Sequence, residues 1–386
     1  MGQFIINLYR HRWPHLEIAA AMLLSVNVAG LSFAGADAGG FFGDADSELM
    51  TRWIQAASYT PFFRGHAHHD SKRREPWVYG EPTTTRIRHA IAQRYALLPY
   101  WYTVFADARF KGLPVMRPLF AHFPEDSGCL TLDDEWLIGS DLLIRPVTSP
   151  GQKDASVYFP GQGVWYDVAE PADSMNTKQP LVFQAGRFNV AAPLDTIPVF
   201  QRGGSIVPRQ RRLRRSSQTM LQDPYELTVA IDGGGNANGQ VYIDDGKSDK
   251  FLDGLFVQRN LQYADGLLSC SAAIHAGLPF GVPEPSGFSP ENIVERVVVL
   301  GLVRPHIVET PFVGNGAQIG RAHHGRRIHA RRFRVYPRGA HAPQPKSPNR
   351  PRLGYPTRLL NKSKATSRRA PSRAQGDSGQ SALCPH

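Results

Sequence analysis

Apolar positions recur at helical spacing in three places along the first hundred residues. Leu16, Ala19, Ala20, Leu23 and Leu24 share one helical face, and the compact apolar run at 28–33 reads as a short buried strand. Asp46 and Ser47 suit the cap of a second helix, with Leu49, Trp53, Ile54 and Ala57 on one side. Another extended run, 58–63, follows. Ile87, Ile91, Tyr95, Leu98, Tyr102 and Phe105 then step by three or four, predicting one long helix stopped by Gly112 and Pro114. Helix, strand, helix, strand, helix is the rhythm of βα units around a parallel sheet.

Beyond Pro114 the period shortens. Runs at 141–144, 156–159 and 163–166 sit between Gly, Pro and Asp turns, and the pattern resumes past the basic patch 209–215 with 226–231, 240–243 and 296–300. The chain therefore divides into an unmatched segment 1–12, an α/β part at 13–113 and two β-sandwich domains at 114–208 and 209–314. From 315 to 386 hydrophobic periodicity is lost, and a disordered basic tail is expected.

Charge changes the picture once it is located. The formal net charge is +11, yet residues 315–386 hold 16 of the 44 Lys and Arg and one of the 33 acids, leaving 28 bases against 32 acids before them. The foldable part is mildly acidic. A basic tail without aromatic stacking positions is a solvated arm, so no specific nucleic-acid partner is expected. Cys129, Cys270 and Cys384 share no short spacing, which predicts neither a disulfide framework nor a metal site, and no cofactor is implied. Residues 19–36 follow Arg10, His11 and Arg12 and end in small residues, as a secretory signal would, but a capped helix and strand explain them equally well. Ser25, Asn27 and Ser32 dilute the same run too far for a membrane span. Asp133-Asp134 and Asp244-Asp245 are read as turn or surface acids, because adjacent strand residues face opposite ways.

More specific are seven segments in fixed order. They are Gly30-Leu31-Ser32-Phe33-Ala34-Gly35-Ala36-Asp37-Ala38-Gly39-Gly40-Phe41, Tyr59-Thr60-Pro61-Phe62-Phe63-Arg64-Gly65-His66-Ala67-His68, Arg73-Arg74-Glu75-Pro76-Trp77 and Pro114-Val115-Met116-Arg117-Pro118-Leu119, with residues 93–102, 157–167 and 197–208. Together they resemble family 31 glycoside hydrolases from Trp13 to Val303. The resemblance implies an α/β plus all-β chain: the last strands and helices of a (β/α)8 TIM barrel, then the two β-sandwich domains. The basic stretch 207–217 is similar to the family's endoplasmic-reticulum branch. That branch implies an α-glucoside or glucosylated N-glycan as substrate, a non-catalytic β subunit as partner, and the endoplasmic reticulum as location.

The family's chemistry is retaining hydrolysis at an α-linked glucose by a nucleophilic carboxylate and a second carboxyl acting as acid, then base. Its nucleophile lies in a Trp-x-Asp-Met-Asn-Glu-like run and its acid/base in a Gly-Asp-Asn-like run. Neither run occurs here, so no catalytic residue is assigned, and a truncated α-glucosidase, inactive alone, is expected. The alternative is a non-catalytic carbohydrate-binding or regulatory protein derived from the family.

Three substrate-binding residues carry over by position. Asp37 and His66 match groups at the carboxyl ends of the seventh and eighth strands, and Phe41 matches an aromatic at the pocket rim. Their bland readings are a turn former, a solvated histidine and a core ring. The family match favours the pocket for Asp37 and His66 and leaves Phe41 open. Arg64, Arg73 and Arg74 are expected to hold the neighbouring loop by salt bridges.

Overall fold

The computed structural model describes residues 11–169, 181–275, 284–285 and 287–302, together with the backbone of strands at 4–6, 313–314 and 334–337. In its first third α1 (Trp13–Val28) begins with Pro14 in its first turn, where the missing N–H costs no bond, and buries Leu16, Ala19, Ala20, Leu23 and Leu24. The helix runs further than its spacing predicts. Val28 belongs to it, Gly30 turns the chain at φ +92°, and the strand of the apolar run begins only at Ala34. An apolar run bounded by a left-handed glycine is a helix end as readily as a strand, which leaves Val28 and Leu31 half exposed.

Strand β1 (Phe4–Ile6) pairs in parallel with β2 (Ala34–Ala36), Phe4 opposite Ala34. Helix α2 (Ser47–Ala57) starts as expected, its Asp46 carboxylate accepting from Leu49 N at 2.8 Å. The run at 58–63 is not extended from its start. Ser58, Tyr59 and Thr60 continue α2 as a turn, and only near Phe62 does the chain run beside β2, with Phe62 N donating to Ala34 O and Ala38 N to Arg64 O. Gly35 permits that approach: a Cβ there would stand 2.0 Å from the Phe62 carbonyl oxygen.

The single long helix also divides. Helix α3 (Thr83–Ala96) and α4 (Leu98–Lys111) meet at Leu97, because Pro99 has no N–H for the Tyr95 carbonyl and crowds it. Ile87, Ala90, Leu97, Tyr100, Trp101 and Val104 face inward, whereas Tyr95 and Tyr102 of the expected stripe are partly exposed. Gly112 ends α4 in the left-handed region, as its position predicts.

The next strands are β3 (Met116–Arg117), β4 (Trp136–Ile138), β5 (Leu142–Ile144), β6 (Asp154–Phe159), β7 (Trp165–Asp167), β8 (Val182–Phe183), β9 (Gly186–Ala191) and β10 (Val199–Arg202). Among the described residues six form an antiparallel sheet in the order β3-β4-β5-β10-β7-β8, and β6 pairs with β9. Period-two alternation gives this sheet two dry faces. Trp136, Ile138, Leu142, Ile144 and Val199 join the core of the helices, while Leu137, Leu143 and Phe200 join Val157, Phe159 and Trp165 on the other side. The Trp136 indole N–H, buried on the helix side, donates to Tyr59 O at 2.9 Å.

A second sheet comprises β11 (Ser205–Arg209), β12 (Tyr225–Ala230), β13 (Ala237–Ile243), β14 (Val257–Ala264), β15 (Leu267–Ala272), β16 (Val294–Leu302), β17 (Val313–Gly314) and β18 (Arg334–Pro337), ordered β17-β15-β14-β13-β11-β12-β16-β18. Helix α4 packs on it through Ala106 and Phe110 against Tyr242 and Phe256. Apart from β17 and β18, residues from 303 onward, including most of the expected disordered tail, lie outside the described residues. No described helix is long and apolar enough to cross a membrane.

Candidate functional site

Asp37 follows the last residue of β2 and is fully buried. It forms a parallel bridge with Arg64, whose Nε donates to Asp37 Oδ1 at 2.8 Å while Nη2 approaches the same oxygen at 2.6 Å. The other carboxylate oxygen, Oδ2, is buried and has no hydrogen-bond partner. Burial pushes the Asp37 pKa up, and Arg64, His66 and Arg74 oppose that shift. A sugar hydroxyl is a donor of the kind an orphaned buried acceptor requires.

Phe41 and His66 lie against each other, ring centroids 5.5 Å apart, with His66 exposed and Phe41 half buried. All three sequence-selected residues therefore gather around the end of β2: Phe41 touches His66, and His66 lies within electrostatic range of Asp37. The loop carrying Phe41 is clamped from outside. Arg74 donates to the carbonyls of Gly40 and Gly43, the latter at 2.7 Å, and His68 N donates to Phe41 O at 2.8 Å.

Of the three arginines, Arg64 and Arg74 brace the loop, while Arg73 pairs two residues along its own segment. Arg64 pairs with Asp37 itself, Arg73 pairs with Glu75 at 2.8 Å, and Arg74 binds main-chain carbonyls instead of a carboxylate. Sequence reasoning missed the grouping of His68, His69 and Asp70, whose ligating atoms lie within 4.8 Å of one another. The His-rich run was its available signal. Asp134 pairs with Arg145 and Asp245 accepts bonds from its own turn, whereas Asp244 accepts both from its turn and from the Tyr102 hydroxyl of α4 at 2.7 Å, which ties that turn to the helix.

A cavity of about 480 Å3 opens elsewhere, between α4 and the second sheet, lined by Phe33, Trp101, Tyr102, Phe105 and Tyr242. Phe33 precedes β2, so this space lies toward the end of the strand opposite Asp37. In parallel α/β barrels the chemistry sits at the carboxyl ends of the strands, and Asp37 stands at that end of β2.

Residues 9–104 match the Glycosyl hydrolases family 31 TIM-barrel domain, and residues 112–207 the Glycosyl hydrolase family 31 C-terminal domain. The chain belongs to glycoside hydrolase family 31. It is 45% identical over 306 residues to neutral alpha-glucosidase AB of Dictyostelium discoideum, covering 78% of this chain and 31% of that protein. It is 42% identical over 299 residues to neutral alpha-glucosidase AB of Homo sapiens, covering 77% and 30%. Its fold is similar to that in the crystal structure of a heterodimeric ER glucosidase II complex of catalytic subunit and regulatory-subunit binding domain. That likeness has a TM-score of 0.70 at 34% identity and covers 77% of this chain and 32% of the other. The chain thus spans about a third of the family 31 relatives it matches.

Proposed function

We propose that this chain supplies one wall of a terminal-glucose pocket in a family 31 α-glucosidase of the glucosidase II kind. The reading rests on one observation: the buried, unpartnered Oδ2 of Asp37 at a strand end, beside the Phe41–His66 pair. Asp37 accepts from a sugar hydroxyl, His66 donates or accepts at a second, and Phe41 covers an apolar sugar face. The elements up to α4 are the last strands and helices of the barrel, and 114–208 and 209–314 are successive β-domains. Neither carboxylate run of the family is found in these 386 residues, so this reading gives the chain no nucleophile or acid/base role. The substrate is an α-glucoside or glucosylated N-glycan, met in the endoplasmic reticulum with a non-catalytic β subunit. Similarity to the catalytic subunit of a heterodimeric ER glucosidase II complex supports that assignment.

Two assays test it. The chain alone should hydrolyse no aryl α-glucoside and should show no saturable binding of glucose or deoxynojirimycin at millimolar concentration. Two or three polar contacts do not offset the cost of immobilising a hydrated sugar. Residues 13–303, exchanged for the matching segment of human neutral alpha-glucosidase AB, should give an active chimera. In it Asp37→Asn and His66→Ala should each lower kcat/KM by on the order of 100-fold, the scale of losing substrate position. Unchanged kinetics would remove the pocket assignment. Tight sugar binding by the isolated chain, lost in His66→Ala, would favour a carbohydrate-binding protein instead.

A further inference from the structure

We propose that His68, His69 and Asp70 form a site for a divalent transition-metal ion of the zinc class at the rim of the Asp37 cluster. Nδ1 of His68 lies 3.3 Å from Oδ2 of Asp70, and Nε2 of His69 lies 3.3 Å from Oδ1 of the same carboxylate. Ligands about 2.0–2.1 Å from a tetrahedral zinc ion stand roughly 3.3–3.4 Å from one another. Each imidazole therefore already stands at the tetrahedral spacing from one oxygen of the Asp70 carboxylate. All three ligating atoms lie within 4.8 Å of one another, and rotation of the exposed His69 ring would bring both imidazoles onto a single oxygen.

The backbone holds these donors before any ion arrives, with Asp70 N 3.3 Å from His68 Nδ1 in a contact that a bound ion would displace. Ser71 N donates to His68 O at 3.0 Å, closing a turn around all three residues, and His68 N donates to Phe41 O at 2.8 Å. Lys72 N donates to Asp44 Oδ1 at 2.7 Å on the far side. The His68 ring is further braced by Phe41 and Phe42, at centroid distances of 5.7 and 5.4 Å. Nearby cations are drawn off: Lys72 Nζ reaches toward Asp44 at 3.9 Å, and Arg73 is paired with Glu75.

Donor chemistry sets the class of ion. Two imidazoles with one carboxylate suit zinc, nickel or copper, whereas calcium and magnesium take oxygen shells. Because His69 and Asp70 are largely exposed, a fourth position remains open to water. An ion here pins the 68–71 turn against Phe41, which itself contacts His66. Coupling to sugar binding rests on the pocket reading of the preceding section, whereas the metal site does not.

The test is calorimetric titration of the full chain with zinc chloride, beside His68→Ala, His69→Ala and Asp70→Asn. Each variant should weaken one binding event by roughly tenfold or more, at least the loss seen when a metal shell is disturbed. Circular dichroism should be unchanged, since the turn is closed by main-chain bonds that the substitutions leave in place. Sites formed by other histidines give a background that the substitutions leave intact. Copper(II) should also broaden the His68 and His69 ring resonances selectively. Identical titrations in all four proteins, or copper broadening that spares both rings, would overturn the proposal and leave Asp70 as an ion-pair partner only. Neither readout involves sugar or turnover, so failure of the pocket reading would leave this result standing.

Discussion

Replacing Arg52 by methionine removes the group that ties α2 to the β-rich part of the chain. Arg52 is 2% exposed, and its guanidinium donates to four main-chain carbonyls: Thr196 at 3.0 Å, Pro193 at 3.2 Å, Ala192 at 2.8 Å and Gln152 at 3.1 Å. Gln55 adds a bond to Leu194 O at 2.8 Å. Burial pulls the Arg52 pKa down to about 10, so the group remains charged at neutral pH, with Glu48 and Asp195 opposing the shift. Removing a buried charged group and leaving its partners unpaired costs about 3–5 kcal/mol, and four bonds at about 1.5–3 kcal/mol net each set the upper bound. Urea unfolding followed by the fluorescence of neighbouring Trp53 measures it. Arg52→Lys, which keeps the charge but loses the planar fork, should fall between wild type and Arg52→Met. A loss below about 1 kcal/mol for Arg52→Met would refute the clamp, since it would lie within the range of ordinary surface substitutions.

Glu135 is fully buried, accepts from Tyr158 N, and has its pKa pushed up to about 8 by burial. The folded state holds that proton where the unfolded chain has lost it, so stability should fall as pH rises from about 4.5 to 8. Urea midpoints of Glu135→Gln should lack that part of the slope. His122 works in the opposite direction: burial and Arg117 lower its pKa to about 4, so stability should fall as pH drops from about 6.5 to 4. Comparing wild type with His122→Gln over that range checks it. Gly35→Ala, which drives a methyl into the Phe62 carbonyl, should cost about 1–3 kcal/mol in thermal unfolding. Deleting residues 315–386 takes the net charge from +11 to −4, and salt-sensitive binding to heparin should vanish with it.

Much of the fold is legible in the sequence because burial follows period. The faces of α1 and α2, the Asp46 cap and the Gly112 stop all follow from local rules. The errors fall where one pattern admits two backbones. Residues 28–33 are apolar whether they end a helix or form a strand, and Gly30 decides. The stripe from Ile87 to Phe105 keeps its period across Leu97, and only Pro99 shows that two helices share it. The pairing of Arg64 with Asp37 joins residues 27 positions apart, so no local spacing reveals it. Family resemblance selected Asp37, Phe41 and His66, whereas the His68, His69 and Asp70 grouping depends on how one turn folds.

The sheet containing β4, β5 and β10 has no solvent side along its centre: neighbouring residues of each strand serve different cores. A single-residue slip in any of these strands would exchange the two sets, putting Leu137 where Trp136 belongs. Recombination within this family therefore has a forbidden seam. A crossover at 113, the obvious gap between helix and strand, would bring a new set of helices against Trp136, Ile138, Ile144 and Val199 without their matched partners. One placed after β10 would carry the shared wall intact and part only the packing of α4 on Tyr242 and Phe256, so hybrids should tolerate it better than a crossover at 113.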